Sequence, residues 1–172
     1  QMTNSSHWPQ YVALASGQDL AEGDNAPSSG AGTLPIVFTF DDANIDRTVT
    51  LTSIVGNVHS GDNTEFWVQT GSGTPPSFSY SGDKDIYDTG TKIATDPLGS
   101  NNGVYWDNVA VTTTVPADAT WLAFQVRSGS PNTPQLNWVA ETMQMDAACP
   151  KVSVTKQLVT PADHTALVGD AV

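Results

Sequence analysis

Short runs in which apolar and polar residues alternate recur about every ten residues along this chain, and Gly, Pro, Asn or Asp closes nearly every run. A period of two places successive side chains on opposite faces of an extended backbone, so each run reads as a strand with one buried face. About eight such strands at that spacing point to an all-β fold, an antiparallel β-sandwich of jelly-roll-like form, with a C-terminal extended strand segment. A length of 172 residues suits one such domain plus a tail.

The individual strands follow from the alternation. Ile36, Phe38 and Phe40 alternate with Val37 and Thr39, and Asp41-Asp42 ends that run. In 48–55, Val49 and Leu51 share a side and the pattern then slips to Ile54, which predicts a bulge near Ser53. Phe66 and Val68 oppose Glu65, Trp67 and Gln69 in 64–70. Val109, Val111 and Val115 mark 104–115, and Leu122, Phe124 and Val126 face inward against Trp121, Gln125 and Arg127 in 120–127. The run 136–145 is the last core strand, its buried face changing near Ala140. Between these, 77–103 mixes short apolar spots with turn residues and predicts one or two short edge strands within long loops.

Three regions are expected. Residues 1–34 form an irregular N-terminal segment with one short strand at 11–15, residues 35–148 the sandwich, and residues 149–172 a strand or linker segment. In that last region Pro150 breaks what precedes it, and Val152, Val154 and Leu158 then share one face of an alternating strand. The stretch 149–172, CPKVSVTKQLVTPADHTALVGDAV, resembles the opening of the conserved-repeat β-sandwich domain of bacterial and archaeal cell-surface proteins. In those repeats a "VSVTK" strand leads through a proline-containing turn into a "VGD" element and a further strand. The resemblance implies a surface-protein architecture. It also implies that the tail is the start of a next repeat, or a strand that finds its sheet elsewhere. Residues 114–126, TVPADATWLAFQV, are similar to the late hairpin of secreted jelly-roll modules, a likeness generic for that class.

Charge narrows the partners. Eighteen acidic residues against six basic ones give a net charge of -12, which argues against nucleic acid and against an anionic membrane surface. No apolar run approaches the length of a membrane span, so no membrane insertion is expected. The lone cysteine, Cys149, supplies neither an internal disulfide framework nor a zinc cluster and reads as a small apolar residue. Asn4-Ser5-Ser6 is a formal glycosylation acceptor, meaningful only in a host that glycosylates exported proteins. A mature exported protein fits these features, and an extracellular or cell-surface location is expected.

Chemistry is sparse. The chain has no phosphate loop, no paired metal histidines and no nucleophile elbow, and His7, His59 and His164 lie in separate polar contexts. No catalytic residue is assigned, and a non-enzymatic protein is expected. Two acidic clusters, Asp41, Asp42 and Asp46 in one turn and Asp83, Asp85 and Asp88 in another, offer oxygen ligands for a structural Ca2+. The same residues are also explained as turn formers that cap their own backbone. Among the aromatics, Trp106 and Trp138 sit where sandwich cores place large rings. Trp67 and Trp121 lie opposite the inward residues of their strands and are the candidates for a sugar-stacking surface.

Taken together, the sequence reads as an extracellular structural subunit or module of a cell-surface filament, surface layer or adhesin. Self-association is expected head-to-tail by β-strand addition through the tail, with Val152, Val154, Lys156 and Leu158 in the contact. The alternative is a calcium-dependent carbohydrate-binding β-sandwich module with a glycan as partner.

Overall fold

A computed structural model describes residues 10–21, 32–79, 85–99, 102–128 and 135–147. Eight strands account for the regular structure: β1 (Gln10–Ala21), β2 (Ile36–Thr39), β3 (Arg47–Gly56), β4 (Thr64–Gly71), β5 (Thr91–Thr95), β6 (Trp106–Val115), β7 (Trp121–Ser128) and β8 (Leu136–Asp146). They form two antiparallel four-stranded sheets, ordered β1-β8-β3-β6 and β2-β7-β4-β5. Chain-adjacent strands lie in opposite sheets for most of the length, so the connections wrap around the core. That is the jelly roll.

The core fills from both inner faces at the expected period of two. Val49, Leu51 and Val55 of β3 meet Phe66 and Val68 of β4 and Leu122, Phe124 and Val126 of β7 in one cluster. Phe66 and Phe124 pack edge to face at 5.2 Å between centroids. Tyr11 ties the two sheets at one end, its hydroxyl donating to the Thr39 carbonyl at 2.7 Å while its ring packs against Phe40.

Three expectations are corrected. The N-terminal segment is no irregular appendage: β1 is twelve residues long and pairs along β8, from Gln10 opposite Asp146 to Ala21 opposite Leu136. Its short sequence signature hid this, because β1 packs only Tyr11, Ala13, Ala15 and Ala21 against the core. The bulge expected near Ser53 is absent from β3, whose burial alternates without a break from Arg47 to Val55. The irregularity lies in β8, where Val139 is the extra residue between the Ile54–Ala140 and Val55–Trp138 pairs. The buried face of β8 switches there, as expected, from Leu136 and Trp138 to Glu141, Met143 and Met145. Ser53 therefore points inward, a polar residue on a core face. Trp106 is the third correction: it begins β6 on the outer face and is 41% exposed, whereas Trp138 is buried in the core.

Among the described residues of the 77–103 region there is one short edge strand, β5, and the loop residues do more than connect. Ile86 is fully buried and, with Trp121, Ala123 and the partly buried Val37, Trp67 and Phe78, builds a second cluster on the outer face of the β2-β7-β4-β5 sheet. As a result all eight residues of β7 are buried.

Candidate functional site

Four places carry polar or assembly-relevant chemistry, and each is set by the strand that presents it. The first is inside the core. β3 and β8 are neighbours with Ser53 directly opposite Glu141, and neither side chain has exposed surface. The Ser53 hydroxyl donates to Glu141 Oε2, while Glu141 Oε1 has no hydrogen-bond partner among the described residues. Burial in this apolar setting pushes the Glu141 carboxyl up to about 8, only partly opposed by the Ser53 hydrogen bond. Its depth leaves no room for a substrate to reach it. Sequence reading missed the pair, although the face change near Ala140, followed one residue further, places Glu141 on the inner face with Met143 and Met145.

The second place is the covered outer face of β7. Arg127, although fully buried, pairs with Asp85 at 3.2 Å, and its guanidinium lies 4.4 Å from the Tyr87 ring centre. Gln125 donates to the Thr33 carbonyl at 2.6 Å and accepts from the Ile86 amide at 3.3 Å. These contacts pin the segments around 33 and 86 to the sheet. Trp121, one of the two sugar-stacking candidates, is 7% exposed in this layer. A covered indole presents no face to a sugar. Trp67 is half-buried, tilted 48° against Tyr87, with its indole nitrogen bonded to Glu65 and the Lys92 ammonium 6.0 Å from its ring. The rings pack on protein groups and on each other instead of forming an open platform.

The acidic turns come third. Asp46 accepts the Ala117 amide at 2.8 Å, and Asp118 donates its amide to the Ala43 carbonyl, so the β2–β3 loop and the β6–β7 turn hold each other. Arg47 donates to the Asp41 carbonyl at 2.9 Å. Desolvation lowers the Arg47 pKa from its usual value, and the carboxylates of Asp42 and Asp41 oppose that shift. In the other turn Asp85 belongs to Arg127 and to the Tyr87 amide, Asp88 is exposed, and Asp83 lies outside the described residues. Among the described residues no three His, Cys, Asp or Glu side chains converge where a metal ion would sit. Asp41, Asp42 and Asp46 are thus placed to shape a turn and to balance Arg47.

The sheet margins form the fourth. β1 and β6 bound one sheet, β2 and β5 the other. β2 spans four residues and β5 five, whereas β1 runs for twelve. From Gln10 to Gln18 β1 contains no charged residue and no proline, and Val12 and Leu14 are 65% and 67% exposed. The tail residues expected to dock on such an edge, Val152, Val154, Lys156 and Leu158, lie outside the described residues, as does Cys149. A groove of about 390 Å³ lies between β4, β5 and β6, lined by Thr70, Thr89, Thr91, Thr113 and Thr114 among others. Threonine hydroxyls, the Gln69 amide, Val68 and Pro116 supply neither acid–base chemistry nor a stacking surface there. Among the described residues no helix is long and apolar enough to cross a membrane.

Strand order and core together define the class: a jelly-roll β-sandwich with a filled interior, one sheet of which is bounded by two long strands, β1 and β6. No protein-family model and no curated protein matches the chain. Among solved structures, it is similar to the VP2 subviral particle of infectious bursal disease virus at 11% identity and a TM-score of 0.46, over 83% of this chain. It is similar also to the Gx strain structure of that virus at 14% identity and a TM-score of 0.40, over 82% of this chain. The chain spans about a third of the length of each, 33% and 32%.

Proposed function

We propose that this chain is an extracellular structural subunit or module of a cell-surface filament, surface layer or adhesin, assembling by β-strand addition through residues 151–172. The observation that carries the reading is the β1 edge. Edge strands usually carry short lengths, inward charges, lysines or prolines that prevent another strand from pairing. β1 is long, and from Gln10 to Ser16, ahead of its register shift against β8 between Ser16 and Asp19, it has none of these. A strand added there gains main-chain hydrogen bonds along its length, with alternate side chains supplying specificity. The alternating stretch Lys151 to Thr160 has the composition for that role, with Val152, Val154 and Leu158 on one face. Donor and acceptor surfaces differ, so the contact is head-to-tail and propagates unless it closes into a ring.

Electron microscopy and light scattering test this directly. The full chain is expected to form regular polymers, and Val154→Asp, which places a charge in the donated strand, is expected to abolish them. Removal of residues 150–172 should leave a unit that polymerises only when the tail is added back as a peptide. Continued growth of either variant would rule out the donor role.

A further inference from the structure

We propose that the outer face of the β1-β8-β3-β6 sheet is the surface through which two copies of this chain pack face to face as a closed, isologous dimer. The register lays that face out row by row. Val12, Gln144, Thr50 and Thr112 lie side by side across the four strands. Leu14, Thr142, Thr52 and Ala110 form the next row. Beyond the irregularity at Val139, Leu20, Asn137, Gly56 and Trp106 form another.

Two properties separate this face from the rest of the molecule. Among the described residues it gathers six of the ten large apolar side chains that stand exposed: Val12, Leu14, Leu20, Ile54, Trp106 and Val139. It is also almost free of charge. β3 and β6 present only Thr, Ile, Gly, Ala, Asn and Trp outward, and the sole carboxylate in these rows is Asp146, at the corner opposite Gln10. The opposite sheet differs, with Glu65 and Lys92 paired across its outer surface and Asp85 on Arg127.

Charge and area select the occupant. The chain carries a net charge of -12, so two copies repel through nearly any other pair of surfaces, and this face is where they approach with least penalty. Four strands about 4.8 Å apart, each about ten residues long at about 3.4 Å per residue, cover roughly 650 Å². Two copies together bury roughly 1,300 Å², inside the range of about 1,200–2,000 Å² for stable interfaces. Two twisted sheets pack at about 10 Å with their side chains interleaved, and β-branched Thr, Val and Ile suit that contact. Threonine hydroxyls in adjacent strands satisfy one another or bridge through water.

The dimer is independent of strand addition, because it uses a face and closes on itself while the tail uses an edge and propagates. Sedimentation equilibrium on the full chain at low and high sodium chloride tests it. In Val154→Asp, where the tail no longer propagates, the chain is expected to reach a closed dimer whose dissociation constant falls as salt screens the remaining repulsion, and the lysine variants are read in that background. Thr52→Lys, which sets two like charges near the centre of the contact, is expected to weaken the dimer about tenfold or more. Thr112→Lys in the adjoining strand repeats the test should Thr52→Lys fail to fold. A chain that stays monomeric at every salt concentration, or a dimer that survives both lysine variants, overturns the proposal. Loss of the dimer in Val154→Asp also overturns it, assigning the contact to the tail.

Discussion

Ser53 on β3 and Glu141 on β8 face each other across a strand pair with no exposed surface on either side chain, and the serine hydroxyl is the carboxyl's hydrogen-bond donor. A carboxyl so placed is costly to ionise, because one hydroxyl replaces the several donors that water supplies. The pair makes the core sensitive to pH in a defined direction.

Stability is expected to fall as pH rises through the range between the ordinary glutamate value of 4.5 and the folded value of about 8. Below 4.5 the carboxyl is neutral in both states and contributes no difference. Between the two values the unfolded chain releases the proton and the folded chain keeps it, so unfolding gains ground with each pH step. Above about 8 the loss is complete, on the order of several kcal/mol. Urea unfolding of wild type and Glu141→Gln across this range isolates the effect, since the remaining acids are common to both. The wild-type curve should slope downward relative to the variant, and parallel curves would mean that Glu141 ionises in the folded state as it does in water.

Ser53→Ala removes the donor and leaves the acid. The hydrogen bond holds the Glu141 pKa down, so its loss should move the midpoint of that pH dependence upward. At neutral pH the variant should lose about 1–3 kcal/mol, the usual cost of an unsatisfied buried polar group. Carboxyl-carbon NMR titration of Glu141 in both proteins reads the shift directly.

Asp85→Ala should destabilise the protein by roughly 3 kcal/mol, because the buried Arg127 loses its carboxylate partner. The loss should be the same in calcium and in excess chelator if Asp85 serves the arginine. A wild-type melting temperature that drops in chelator and recovers in calcium would instead place an ion in the acidic turns.

Gly71 sits opposite Trp121, whose ring atoms would lie 2.4 Å from a Cβ added there. Gly71→Ala should displace the indole from its layer and cost about 1–3 kcal/mol. A red shift of the tryptophan emission should accompany the loss. Unchanged emission and an unchanged melting curve would mean that the layer over β7 yields without cost.

The strands with a clean period of two were legible in the residues alone. Phe66 and Val68, or Leu122, Phe124 and Val126, can bury one face only by lying in a half-covered sheet, and eight such runs admit few arrangements other than a sandwich. The face change in β8 was legible for the same reason. Alternation, however, reports which side of a strand is apolar, and says nothing about what covers the other side or which strands are neighbours. Only 11–15 of β1 was legible as a strand, because small residues suffice where β8 and the opposite sheet already fill the space. Ser53 looked like a break in the pattern because the partner that makes it tolerable, Glu141, is 88 residues away. Trp121, Gln125 and Arg127 looked solvent-facing because the layer that buries them comes from distant loops through Phe78, Ile86 and Asp85. Local periodicity is a property of the backbone and is written in the sequence. Pairing of polar groups across the core, and the covering of an outer face, depend on contacts between segments far apart in the chain, and only the tertiary structure decided them.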